Sequence, residues 1–67
     1  MSEPIMQFFS YAHLPESLQA VSRPFGQLAA HIEVWLPKNP ERSVALRKLL
    51  EAKDAAVRAS MFQEQGR

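Results

Sequence analysis

At 67 residues the chain has room for one domain, and a domain this small buries only about 60% of the surface that its unfolded chain exposes. With no cysteine, disulfides and thiolate zinc sites are excluded, which leaves oligomerisation as the expected way to complete a marginal core. A hydrophobic share of 46% against 22% charged residues is a globular composition, and a formal net charge of +1 argues against duplex DNA or an anionic membrane as the main partner.

The N-terminus has no basic stretch followed by an apolar run, and no apolar stretch approaches the roughly 18 residues needed to span a bilayer. A soluble intracellular protein is therefore expected. The first distinctive segment is FFSYAHLPESL, residues 8–18, which sets three aromatic rings and a histidine just before a proline suited to the first turn of a helix. From there, Leu14, Leu18, Val21, Phe25, Leu28, Ile32 and Trp35 step by alternating fours and threes, the a/d spacing of a coiled-coil seam. Pro24 interrupts this run. Inside a helix it removes a hydrogen bond and disfavours the α conformation for Arg23, so a break or kink is expected there. Ser22 would cap the restart, giving a short helix over about 15–21 and a second over about 24–36. On this reading Trp35 is a core ring.

Leu36-Pro37 ends that element, and Asn39-Pro40 supplies an N-cap followed by proline at the first helical position. The next helix, over 40–62, has neither glycine nor proline in its interior, and Asp54 stands four residues before Arg58 in the favourable orientation for an ion pair. Ala45, Leu49, Ala52, Ala56 and Ala59 form a seam of mostly small residues, expected to face the first arm. A short connection between two arms of roughly 30 Å predicts an antiparallel helical hairpin. Val44, Leu46, Leu50, Val57 and Met61 form a second apolar stripe, expected to be covered by another subunit. The final FQEQGR reads as a fraying end. The fold class is thus all-α: a short N-terminal helix, then a two-helix hairpin, assembled into a compact homo-oligomer.

No catalytic set is legible. His13 and His31 stand 18 residues apart on different elements and do not pair as metal ligands, the acidic residues of the last helix are interspersed with bases, and the two glycines are isolated. Neither enzyme activity, cofactor nor metal is expected. What remains is the aromatic segment. Phe8, Phe9 and Tyr11 precede a helix start whose unpaired N–H groups favour anions, and Arg23 follows. Rings and cations so placed are the parts needed to hold a nucleotide, a ring for each base and a cation for each phosphate. The plainer alternative is that Phe8 and Phe9 staple the segment to the hairpin, Tyr11 packs with them, and His13 is a surface or capping side chain.

The residues FSYAHLP, then SRPF, then NPERSVALRKLLEAKDAAVRA resemble the small bacteriophage anti-CBASS proteins that sponge up cyclic nucleotide signals. The likeness covers residues 8–60. The segment ALRKLLEAKDAAVRA is shared with the phage sponge that counters Thoeris defence, whereas FSYAHLP points to the anti-CBASS branch. The resemblance implies a hexamer in the cytoplasm of an infected bacterial host, binding cyclic dinucleotides such as cyclic GMP-AMP between subunits and cyclic trinucleotides in separate pockets, without cleaving them. It matches the family's stacking tyrosine to Tyr11 and its phosphate-binding lysine to Arg23, an arginine that keeps the charge but alters the geometry. Phe9 and His13 complete the dinucleotide candidates, and Arg42, Arg47 and Arg58 are the trinucleotide candidates. Two other classes remain open. One is an oligomerisation or adaptor module with no small-molecule ligand; the other is an RNA-binding hairpin, which the near-neutral charge disfavours.

Overall fold

The computed structural model describes residues 3–62, and every regular element in that span is helical. A 3-10 helix over Pro4–Phe9 is followed by α1 over Glu16–Trp35 and α2 over Pro40–Met61. The two long helices pack on each other, and the 3-10 helix lies against both. No helix among the described residues is long and apolar enough to cross a membrane. The end expected to fray falls, beyond Phe62, outside the described residues.

Helix α2 begins where its sequence places it. The Asn39 side chain accepts from the Arg42 backbone N–H at 2.8 Å, and Pro40 occupies the first turn, where its missing N–H is no loss. By contrast, α1 corrects an expectation: it runs through Pro24 as a single 20-residue helix, with neither a break at residues 22–23 nor a restart. Proline costs this helix one N–H donor, the one that would reach the carbonyl of Ala20. Ala20 and Pro24 are both exposed, so water can serve that carbonyl, while residues on both sides of the proline pack inward and hold the helix together.

The buried stripe of α1 is also rotated from the predicted seam. Ser22 and Ala29, both fully buried, are the contact residues, with Leu18, Phe25 and Ile32 half-buried around them. Small side chains at these two positions let the helices approach closely. Consequently Leu28 and Trp35 turn outward, and Trp35 is 72% exposed, stacked on His31 with ring centroids 4.1 Å apart. Trp35 is therefore no core ring. On α2 the most buried residues are Arg42 and Leu46, with Leu49, Leu50, Lys53 and Val57 half-buried; of the alanine seam Ala45, Leu49 and Ala56 are half-buried, whereas Ala52 and Ala59 are exposed. Leu46, expected to await another subunit, is fully buried within the chain beside Phe9 and Ala29.

The hydroxyl of Ser22 does not cap a helix. It is buried with no hydrogen-bond partner among the described residues. An unsatisfied buried polar group costs about 1–3 kcal/mol, and alanine is the better helix former. Ser22→Ala is therefore expected to leave the melting temperature unchanged or to raise it. A drop of more than about 5 °C in thermal denaturation, roughly 1 kcal/mol for a chain of this size, would show that the hydroxyl does have a partner.

Three short connections pin the N-terminal segment. Glu3 accepts from the Arg42 guanidinium, with Nε at 2.8 Å and Nη2 at 2.7 Å, and the Glu3 backbone N–H donates to Glu33 Oε2 at 2.9 Å. Ser43 Oγ donates to Glu3 Oε1 at 3.2 Å. Arg42 Nη1 donates to the carbonyls of Glu33 and Leu36, each at 2.9 Å. Those carbonyls lie at the C-terminal end of α1, where backbone acceptors lack helical partners and the dipole favours a cation. One arginine thus closes α1, starts α2 and anchors the chain's first described residue.

Candidate functional site

The aromatic segment divides into rings with different fates. Phe9, at 3% exposure, is a core residue packed with Ala29 and Leu46, whereas Phe8 is 56% exposed. Phe9 therefore has no open face to offer a base within the single chain. Between the 3-10 helix and α1, residues 10–15 form a loop that carries Tyr11 and His13, half-buried and exposed respectively.

The loop is held from several sides. Gln19 Nε2 donates to the carbonyls of Leu14 at 2.7 Å and Ala12 at 3.3 Å, and the Leu14 N–H donates to the Tyr11 carbonyl at 3.0 Å. Lys53 Nζ donates to the Phe8 carbonyl at 2.7 Å, tying the segment to α2. Against α1, the Tyr11 ring lies over Gly26: a methyl group built on Gly26 would sit 3.1 Å from Tyr11 Cδ2 and Cε2 and 2.9 Å from the Phe9 carbonyl oxygen. The Arg23 guanidinium carbon stands 5.8 Å from the centroid of the Tyr11 ring, within cation–π range. At an exposed site such a contact is worth about 0.5–1 kcal/mol. Tyr11 and Arg23 are thus brought together, a ring and a cation on one surface of α1.

The trinucleotide candidates separate. Arg42 is buried, and its guanidinium is taken up by Glu3 and the carbonyls of Glu33 and Leu36. Arg47 is exposed and pairs with no described residue. Arg58 lines an open groove of about 240 Å³ between α1 and α2, bounded also by Leu14, Leu18, Ser22, Lys53, Asp54 and Val57. The predicted Asp54–Arg58 ion pair is not formed; Asp54 lies 3.7 Å from Lys53 instead. Among the described residues no three His, Asp or Glu side chains come together as a metal set.

Sequence reasoning missed Gln19, Gly26 and Lys53 as supports of the loop. For Gly26 a signal exists. A glycine inside a helix costs about 0.5–1 kcal/mol relative to alanine, and its usual justification is a close approach by another part of the chain.

Fold and site together define a small all-helical chain bearing a half-exposed tyrosine with an arginine beside its ring. Comparison with known protein families, curated proteins and solved structures finds no match to this chain.

Proposed function

We propose that this chain sequesters cyclic nucleotide second messengers without cleaving them, as an anti-defence protein of a bacteriophage acting in the cytoplasm of the infected host. The observation that carries the reading is the Tyr11–Arg23 pair. A ring held half-open can stack on a base, at about 1–3 kcal/mol per base, and the neighbouring guanidinium suits the adjacent phosphate. The resemblance of FSYAHLP and NPERSVALRKLLEAKDAAVRA to the anti-CBASS sponges supports the same ligand, a cyclic dinucleotide such as cyclic GMP-AMP.

In this reading the packed helices are an antiparallel hairpin that assembles into a homo-oligomer, a hexamer by the resemblance, with dinucleotides held between subunits. Among the described residues, seven large apolar side chains support assembly by being exposed on the single chain, Val34, Trp35, Leu36 and Phe62 among them. Arg47 and Arg58 remain as cations for a cyclic trinucleotide, Arg42 being engaged internally. Sequestration needs no catalytic group: an excess of sponge lowers the free signal below the threshold of the host effector. Nanomolar affinity, about 12 kcal/mol, would be required to compete with that effector.

The burial of Phe9 favours a second reading, an oligomerisation or adaptor module whose rings only pack. Thermal-shift measurements against a panel of cyclic and linear nucleotides separate the two. Stabilisation by cyclic dinucleotides alone, on a species heavier than one chain by light scattering, is expected. No shift with any nucleotide supports the adaptor, and a monomer sinks the intersubunit pocket.

A further inference from the structure

We propose that Gly26 is a positioning residue for nucleotide binding, holding the Tyr11 ring in its base-stacking orientation through the absence of a side chain. This rests on the sponge reading above and adds a residue to its site. The Gly26 position in α1 is approached at once by the Phe9 carbonyl oxygen, at the end of the 3-10 helix, and by one edge of the Tyr11 ring from the loop. The first is backbone, fixed by Phe9 in the core and by the Lys53 bond to the adjacent Phe8 carbonyl, so it has little room to yield. A Cβ held 2.9 Å from that fixed oxygen cannot be relieved there, so the Tyr11 ring, 3.1 Å away, is the part displaced.

The seat matters for binding because a ring already held in one orientation loses less freedom when a base stacks on it. It also sets the ring beside Arg23, whose guanidinium carbon is 5.8 Å from the centroid. Displacing the ring therefore separates the two groups that the site needs together. Glycine in mid-helix would otherwise be a defect, since alanine there favours α1. Gly26→Ala consequently sets a gain in helix propensity against a displaced ring, which allows binding and stability to part company.

The test is a double-mutant cycle read by calorimetric titration with cyclic GMP-AMP on the full chain, with oligomer mass and melting temperature measured for each variant. Gly26→Ala is expected to weaken binding at least ten-fold while mass is kept. If Gly26 acts through the ring, Gly26→Ala combined with Tyr11→Ala binds no more weakly than Tyr11→Ala alone, within about two-fold. Losses that multiply, or a Gly26→Ala variant that binds like the parent, overturn the proposal. The chain's single tyrosine gives a readout that needs neither ligand nor mutant: in the parent's NMR spectrum the Tyr11 ring protons should show cross-relaxation to the Gly26 α protons. Absence of that contact overturns the proposal even if Gly26→Ala does not fold. A parent that shows the contact but binds no cyclic nucleotide retains the seat and overturns both the sponge reading and the binding role built on it.

Discussion

Arg42→Ala is expected to unfold the chain or lower its melting temperature by more than about 12 °C. The side chain is buried, and removing it strands the Glu3 carboxylate and leaves the carbonyls of Glu33 and Leu36 without their donor. Breaking a buried ion pair from one side costs about 3–5 kcal/mol. A chain of this length has a total stability of only about 3–10 kcal/mol, so the loss takes a large share of it. Each kcal/mol moves the melting temperature by roughly 4–8 °C in so small a domain. Arg42→Lys should fall between parent and alanine, because an ammonium keeps the charge but lacks the planar fork that reaches Glu3 and both carbonyls together. Thermal denaturation at matched chain concentration checks the series. An Arg42→Ala variant that melts within a few degrees of the parent would show that the N-terminal anchor contributes little.

Tyr11→Ala is expected to weaken cyclic GMP-AMP binding by ten-fold to more than a hundred-fold, the loss of one stacked base at about 1–3 kcal/mol. Tyr11→Phe keeps the ring, and with no hydrogen bond from the phenolic oxygen among the described residues it should retain most of the affinity. Arg23→Ala should weaken the same ligand, with an effect that shrinks as salt is raised, because the guanidinium is exposed and its attraction for phosphate is screened. Calorimetric titration of the three variants, after oligomer mass and helicity are verified, decides the assignment. Equal binding by Tyr11→Ala and the parent would make the ring structural.

The start of α2 is legible in the sequence because its signal is local: Asn39 and Pro40 are adjacent and act on the same turn. The helical character of residues 16–35 is equally legible, but the side of α1 that faces inward is not. A stripe of alternating fours and threes has two edges. The spacing of Leu14, Leu18, Val21, Phe25, Leu28, Ile32 and Trp35 cannot say that the contact runs along the edge where Ser22 and Ala29 bring the backbones close. The break expected at Pro24 fails for a related reason, since a local rule about proline does not weigh the packing on either side of it. The Glu3–Arg42 pair joins residues 39 apart in the chain, for which no periodicity gives warning. At the site, the placing of Tyr11 and Arg23 one short helical span apart is readable, whereas the buried state of Phe9 and the seat at Gly26 require the loop to be folded back onto α1.

A sponge as proposed holds a cyclic dinucleotide and returns it whole. Purified protein titrated with cyclic GMP-AMP, then freed of excess ligand and heated, tests this in one preparation. Saturable nanomolar binding is predicted, with intact cyclic GMP-AMP recovered by chromatography after release. A flat titration, or recovery of a linear product, would contradict it.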